Sequence, residues 1–273
     1  MSSGFRKSAL LIALDLFHRL PPGLKLWLRS FKRQEAEVSE LKRLVKPSTI
    51  AVDVGANKGA YTFALAKLVG PTGRVLAVEP IHELAQYLKA ACRQLHLPVD
   101  VEECCLSSTD TTGELFIPAD DQGTLQTGLA TLSPLQPGPG VTRPVVVRRL
   151  DSMLKKRDKR ISFIKCDVEG HEIEVFLGAE EILSQDRPNL LVEIEQRHHR
   201  DSIENCFSFF EARGYRAYLL EDGLLRPLDE LRVVSHQTLA LKDCATQKWA
   251  DAFNFIFLPE QSLQLRHKQQ TGL

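Results

Sequence analysis

The sequence has no excess charge of either sign: Lys+Arg and Asp+Glu number 35 each in 273 residues. A global basic field of the kind that draws a protein onto nucleic acid is therefore absent. There is no CxxC pair, and the cysteines Cys92, Cys104, Cys105, Cys166, Cys206 and Cys244 show no metal spacing. In a chain of this length such thiols read as reduced and mostly buried, not as a disulfide framework. No apolar run is long enough for a bilayer. Leu10–Phe17 is broken by Asp15 and followed by His18 and Arg19, and no small-residue cleavage site comes after it. A cytoplasmic protein is expected. Internal repeats and low-complexity tracts are absent as well. What remains, 43% hydrophobic and 26% charged residues, is the make-up of a globular chain with room for a doubly wound sheet.

The charges are unevenly placed. Residues 1–33 carry seven Lys/Arg and one Asp, residues 143–165 nine Lys/Arg and two Asp, and residues 167–204 eleven Asp/Glu and three Arg. Residues 1–46 read as an N-terminal helical extension. Leu10, Leu11, Leu14 and Phe17 lie at helical spacing, Pro21-Pro22-Gly23 ends that segment, and a second helix is expected from about Leu24 to Val45. Packing on the main domain is one role for the extension; peripheral attachment of its basic part to an anionic membrane surface is the other. The main domain is expected over residues 47–260, with a polar tail at 261–273.

From Thr49 the pattern changes. Ile50–Val54 is a short apolar, β-branched run bounded by Pro47 and Gly55, which reads as a strand buried on both faces. A helix follows over about Lys58–Val69, then a strand at Arg74–Val78, a helix at Ile81–Leu95 and a strand at Val99–Cys104. That order is the signature of parallel βαβ units. Ser107–Gly140 is richer in Thr, Gly and Pro and reads as a lid or a strand-bearing insertion. Strands are expected again at Arg143–Leu150, Ile161–Cys166 and Asn189–Ile194. Helices are expected at Glu169–Ser184 and Ser202–Arg213. A hairpin at Tyr215–Arg226 and a last strand at Phe253–Leu258 complete the chain.

Asp53-Val54-Gly55-Ala56-Asn57-Lys58-Gly59 stands at the carboxyl end of the first strand and opens the first helix. In an open α/β sheet, ligands bind at that end. The spacing is neither the G-x-G-x-x-G of a pyrophosphate loop nor a Walker A loop. Gly55 permits a positive φ or a close backbone approach, and Glu79, at the end of the second strand, is placed to accept hydrogen bonds from ribose hydroxyls. A glycine loop without phosphate logic, followed by an acid at the next strand end, fits a nucleoside cofactor lacking phosphates. Taken singly, Asp53 also reads as a capping acid and Glu79 as a solvated strand end.

The stretch Ile161–Glu172 ends an apolar strand in Asp167, Glu169 and His171. These fall at the same sheet edge as Asp53 and Glu79. Plain stabilisation of a helix N-terminus, about 0.3–1 kcal/mol per carboxylate, is the bland account of Glu169 and Glu172. With Asp151, Glu193 and His198 added, the group also has the make-up of a general-base site or a hard-cation site.

These residues resemble the FkbM family of S-adenosylmethionine-dependent methyltransferases. The likeness is carried by Val52–Gly59, Val78-Glu79-Pro80, Leu150-Asp151, Ile164–Glu172, Leu177-Gly178-Ala179 and Pro188 leading to Glu193. It covers about Val45–Tyr218, and Asn254–Pro259 resembles the family's closing strand. Cys166 stands where the family usually has an aliphatic residue, and Glu103-Cys104-Cys105 replaces the usual Asn-x-Ala.

The resemblance implies an α/β, Rossmann-like class I methyltransferase domain, with a mostly parallel doubly wound sheet and an antiparallel C-terminal strand. It implies S-adenosyl-L-methionine as cofactor and O-methylation of a hydroxyl on a sugar, glycolipid or secondary metabolite. The cofactor contacts would be Asp53, Gly55, Asn57, Gly59, Glu79 and Cys105. Asp167 would be the base or the acid orienting the acceptor, with Glu169 and His171 as supports and Lys165 pairing with Asp167. No residue is assigned as a metal ligand, and the expected partner is a small-molecule, glycan or lipid-linked hydroxyl acceptor rather than nucleic acid. The alternatives are a nicotinamide-dependent oxidoreductase, a non-catalytic cofactor-binding module and a nucleic-acid methyltransferase. The missing G-x-G-x-x-G weighs against the first, and the missing Asn/Asp-Pro-Pro-Tyr loop against the last.

Overall fold

The computed structural model describes residues 35–132, 138–221, 224–228 and 254–260. Most of the N-terminal extension, including its basic part, and the polar tail lie outside them. Among the described residues no helix is long and apolar enough to cross a membrane.

The chain runs α1 (Glu35–Leu44), β1 (Ile50–Val54), α2 (Ala60–Val69), β2 (Arg74–Val78), α3 (His82–Gln94), β3 (Val99–Glu102), β4 (Cys105–Leu106), β5 (Thr111–Pro118) and β6 (Gly140–Arg148). It continues with α4 (Leu150–Met153), β7 (Ile161–Cys166), α5 (Glu172–Leu177), α6 (Glu180–Gln185), β8 (Asn189–Glu193), α7 (Glu204–Glu211), β9 (Tyr215–Glu221), β10 (Leu224–Pro227) and β11 (Asn254–Pro259).

An 8-stranded sheet has the order β10-β9-β11-β8-β7-β1-β2-β3. Strands β3, β2, β1, β7 and β8 are mutually parallel, whereas β11 runs antiparallel between β8 and β9. β1 is central and buried along its whole length, which explains why Ile50-Ala51-Val52-Asp53-Val54 shows no apolar/polar alternation. Each fully buried Val or Ile in it contributes about 1.5–3 kcal/mol. One face of the sheet packs on Val175, Phe176, Ile182, Phe207 and Phe210 from α5, α6 and α7. The other packs on Leu41 and Leu44 of α1 and Leu65 and Val69 of α2, with Leu88 and Ala91 of α3 beside Phe63. The end of the extension is thus part of the core, and Asn189 Nδ2 donates to the carbonyl of Leu44 across 2.8 Å.

From β1 the chain proceeds outward through β2 and β3, then returns to β7 on the other side of β1. β1 and β7 therefore flank a topological switch point, the place where ligands bind in open α/β sheets.

The structure corrects several boundaries. The third strand ends at Glu102, because Cys105-Leu106 leaves the main sheet to pair with β6. The strand expected at Arg143–Leu150 begins at Gly140, ends at Arg148 and belongs to a second, 3-stranded sheet in the order β4-β6-β5. The loose stretch Ser107–Gly140 supplies β5 and a 3-10 turn at Thr127–Leu129, so of its two readings the strand-bearing insertion is the one seen. The helix expected at Glu169–Ser184 starts only at Glu172, since Glu169 and Gly170 have positive φ of 55° and 95°. It also breaks after Leu177, where the carbonyl of Ser107 lies against Gly178.

Asp151 does not join the acids at the sheet edge. Its carboxylate accepts from the backbone N–H groups of Glu181 and Ile182, each at 3.1 Å, at the start of α6. It is a buried cap, so Asp151→Ala should cost about 0.5–2 kcal/mol of stability in urea unfolding and leave ligand binding untouched. A variant that keeps its unfolding midpoint but loses ligand affinity would show that the cap is not its role.

Candidate functional site

A cleft of about 590 Å³, part of it open to solvent, lies at the carboxyl ends of β1, β2, β3 and β7. One wall is Val54, Gly55, Asn57, Val78, Glu79 and Pro80; a second is Asp167, Val168, Glu169 and His171. The second sheet and its turn close the remaining side with Cys104, Cys105, Leu106, Leu115, Thr127, Gly128, Ala130, Thr131 and Leu132.

Gly55 makes the crossing of β1 and β7 possible. Its φ is +75°, and an added Cβ would stand 1.9 Å from the carbonyl oxygen of Asp167. The N–H groups of Gly55 and Ala56 both donate to the carbonyl of Val78 at 3.0 Å, tying the loop to the end of β2. Glu79 is 4% exposed. Its carboxylate accepts from Asn57 N (2.7 Å) and Ile81 N (2.9 Å). Burial pushes its pKa up, the two N–H groups oppose the shift, and the balance is about 7. Asn57, at a φ of 48°, has its buried Oδ1 without a hydrogen-bond partner among the described residues.

Asp53 and Gly59 do not line the cleft. Asp53 lies beneath the loop, 1% exposed, and accepts from Thr62 Oγ1 at 2.5 Å. Burial, partly offset by that bond and by Lys165, raises its pKa to about 6. Gly59 begins α2 at a φ of 84°, with Leu88 Cδ2 and Phe63 Cε2 2.6 and 2.8 Å from where a Cβ would be. It secures the packing of α2 on α3.

Cys105 does line the cleft, beside Cys104. Burial pushes the Cys105 thiol up to about 12, with smaller contributions from Cys104 and Glu79, so it stays a neutral S–H wall rather than a nucleophile.

At the end of β7, Lys165 is 1% exposed and its Nζ stands 3.2 Å from Asp167 Oδ2. Glu193 Oε2, at the end of β8, is 3.9 Å away, and the Tyr61 ring centroid is 5.1 Å away. Burial works to discharge this ammonium, but Asp167, Glu193 and Asp53 outweigh it and hold it protonated. Glu169 Oε2 meets His198 Nε2 at 2.8 Å. His171 Nε2 lies 2.9 Å from Ser107 Oγ, and burial lowers its pKa, against the pull of Glu174 and Glu172. Among the described residues no group of His, Cys, Asp and Glu is arranged to hold a metal ion.

The sequence reading missed the wall formed by the insertion. Thr131 Oγ1 donates to the carbonyl of Glu169 across 2.8 Å, which fixes the insertion to the β7 loop. No motif announces these residues; only the density of Thr and Gly between two strands marks the stretch.

The cleft suits S-adenosylmethionine. A buried carboxylate at the end of β2 and an unsatisfied Asn57 oxygen belong to residues that line the cleft, and both are acceptors for the hydroxyl donors a nucleoside offers. Cys105, Leu106, Leu115 and Leu132 give an apolar wall.

No curated protein matches this sequence. A solved FkbM methyltransferase from Methylobacillus flagellatus is 18% identical, with a TM-score of 0.43, over 75% of this chain and 53% of that one. The chain thus spans about half the length of that protein. A Thermotoga maritima structure described as an S-adenosylmethionine-dependent O-methyltransferase is 14% identical over 81% of this chain and 63% of that one, TM-score 0.41. Aeropyrum pernix fibrillarin with natively bound S-adenosylmethionine is 12% identical over 82% and 74%, TM-score 0.40. The family model for the methyltransferase FkbM domain matches residues 53–217, from the carboxylate under the glycine loop to β9. With more than half of its length matched, this chain belongs to the FkbM methyltransferase family, whose methyl donor is S-adenosylmethionine.

Proposed function

We propose that the protein transfers a methyl group from S-adenosylmethionine to a hydroxyl oxygen of a sugar, glycolipid or secondary metabolite. The observation that carries this reading is the cleft itself. At one switch point, the wall of Gly55, Asn57 and Glu79 faces a wall of Asp167, Glu169 and His171.

S-adenosylmethionine supplies an electrophilic methyl group whose carbon–sulfur bond breaks with the electron pair left on sulfur. Glu79 and Asn57 are the acceptors that would hold its hydroxyl and amino donors, with Gly55 giving backbone access and Cys105 an apolar side. Asp167 takes the acceptor's proton as the new oxygen–carbon bond forms. An alcohol is a weak nucleophile at neutral pH, and a positioned base contributes about 10²–10⁴-fold. Orientation within the cleft contributes up to about 7–11 kcal/mol more. Glu169, held by His198, and His171, held by Ser107, keep the acceptor side of the cleft in place.

Glu79 gives this reading a pH signature. Its folded pKa lies above the ordinary carboxylate value, so its ionisation opposes folding. The stability it contributes is complete below the ordinary value and is lost as pH rises through about 7. Ligand hydroxyls bind the ionised form. Affinity for S-adenosylhomocysteine should therefore rise about tenfold between about pH 6 and about pH 8, following the ionised fraction. Calorimetric titration across that range checks it; a flat affinity removes Glu79 from the contact.

The function is tested by thermal-shift titration with S-adenosylhomocysteine and with NAD, then by a methyl-label screen over glycan and lipid acceptors. Stabilisation by S-adenosylhomocysteine alone, with label entering a hydroxyl-bearing acceptor, is expected. Stabilisation by NAD would favour an oxidoreductase, and cofactor binding with no label in any acceptor a non-catalytic module.

A further inference from the structure

The zero net charge of the chain hides a division between the two edges of the main sheet. The carboxyl edge carries Glu79, Asp167, Glu169, Glu193 and Glu195. The amino edge, where the parallel strands begin, is basic. Five exposed cations stand there: Lys42 in the last turn of α1, Lys46 before β1, and Lys155, Lys156 and Arg160 before β7. The acids of this edge are taken by other cations: Glu40 by Arg43 (3.2 Å), Asp186 by Arg157 (2.9 Å), Asp158 by Lys159 (2.9 Å) and Asp100 by Arg74. The five are thus surplus charge, without an ion-pair partner among the described residues. The exposed acids Glu211 and Glu260 belong to the β9 and β11 side, beyond β8.

Backbone and side-chain bonds draw these loops together. Ile50 N–H donates to the carbonyl of Arg160 (2.9 Å), Arg74 N–H to that of Thr49 (3.0 Å) and Lys46 N–H to Ser162 Oγ (3.2 Å). Asp186 takes Arg157 by its carboxylate and Arg160 by its carbonyl, which folds the loop 155–160 onto the start of β7. The acids at the far edge do not cancel this patch. β1 spans 5 residues, about 16 Å at about 3.3 Å each, twice the screening length of about 8 Å at physiological salt.

A patch of this kind recognises a polyanion, and two features select a lipid surface over nucleic acid. No aromatic residue occurs in 42–49 or 155–160, so nothing there stacks on bases. The chain leading into α1 carries seven Lys/Arg in residues 1–33, together with Leu10, Leu11, Leu14 and Phe17 at helical spacing. Apolar side chains beside basic ones suit the boundary between headgroups and acyl chains. We propose that the basic amino edge of the sheet, formed by Lys42, Lys46, Lys155, Lys156 and Arg160, docks on the anionic headgroups of a membrane. The cleft, at the other edge, then opens on the aqueous side. This inference does not rest on the methyl-transfer reading.

Sedimentation of the full chain with vesicles tests it. The vesicles are phosphatidylcholine alone, or phosphatidylcholine with phosphatidylserine. Salt is raised from about 0.1 M to about 1 M, which shortens the screening length from about 10 to about 3 Å. Binding to the phosphatidylserine vesicles at low salt is expected, with release at high salt and an affinity at least about tenfold lower on phosphatidylcholine alone. Lys42→Ala, Lys155→Ala and Lys156→Ala should each weaken binding by about fivefold and leave the thermal unfolding midpoint unchanged. Lys58→Ala removes an exposed lysine at the carboxyl edge and should bind as the native protein does.

No binding to the phosphatidylserine vesicles, or equal binding to both kinds, overturns the docking face. So does an affinity unmoved in the three patch variants, or an equal loss in Lys58→Ala. Tighter capture of an RNA or DNA duplex than of phosphatidylserine vesicles in direct competition overturns it as well, with nucleic acid as the partner instead. Should the vesicle results hold while S-adenosylhomocysteine fails to bind, the docking face stands and the methyl-donor reading falls.

Discussion

Asp167→Asn should lower methyl transfer by about 10²–10⁴-fold while leaving S-adenosylhomocysteine binding within experimental error of the native protein. The substitution keeps the size and shape of the side chain and removes its ability to take a proton. The cofactor wall is tied to the Asp167 backbone, and the carboxylate acts on Glu79 only through its charge, the last and smallest of the causes of the Glu79 shift. Gly55 packs against the backbone carbonyl of Asp167, and the backbone N–H of Asp167 donates to Val54 at 3.1 Å; neither is altered in the variant. The partner that loses most is Lys165, left with Glu193 and Asp53. A modest fall in Tm would therefore accompany the kinetic loss, because breaking a buried ion pair leaves a charge under-compensated. Initial rates with a methyl-labelled donor, together with calorimetric binding, separate the two effects. Full activity in the variant would take Asp167 out of the chemistry.

Gly55→Ala should have the largest effect on the protein as a whole. A residue with a side chain at a φ of +75° carries about 1–3 kcal/mol of backbone strain. Here the new methyl would also overlap the carbonyl of Asp167 at 1.9 Å. Relief requires β1 and β7 to part at their carboxyl ends. That breaks the Asp167 N–H to Val54 bond and moves both walls of the cleft. A destabilisation of about 3 kcal/mol or more follows, with loss of S-adenosylhomocysteine binding. Urea unfolding and a binding titration on the same preparation read both. Wild-type stability and affinity in Gly55→Ala would mean that the close crossing is not what shapes the site.

The parts of the fold that were readable from sequence are those dictated by local rules. β1, β2, β7 and β8 stand out because strands covered on both faces must be continuously apolar. Gly55 and Glu79 were legible as a turn and an acid at successive strand ends. What escaped depends on contacts between distant segments. Nothing local says that Arg143–Val147 pairs with Thr111–Leu115 instead of joining the main sheet. Nothing local says that the helix after β7 must break at Gly178 because Ser107 passes there. Asp151 reads like any other acid until the N-terminus of α6 arrives at its carboxylate. Lys165 shows the same limit from the other side. Its pairing with Asp167 is suggested by proximity in sequence, but the contributions of Glu193 and Asp53 come only with the parallel register of β8, β7 and β1.

The central claim is that the cleft at the β1/β7 switch point holds the methyl donor through Glu79. Isothermal titration of the full chain with S-adenosylhomocysteine at about pH 8, on the native protein and on Glu79→Ala, tests it most directly. Saturable one-to-one binding that weakens by about tenfold or more in the variant, the worth of a hydrogen bond to a charged group, is the predicted result. No saturable heat with the native protein, or equal affinity in Glu79→Ala, would contradict it.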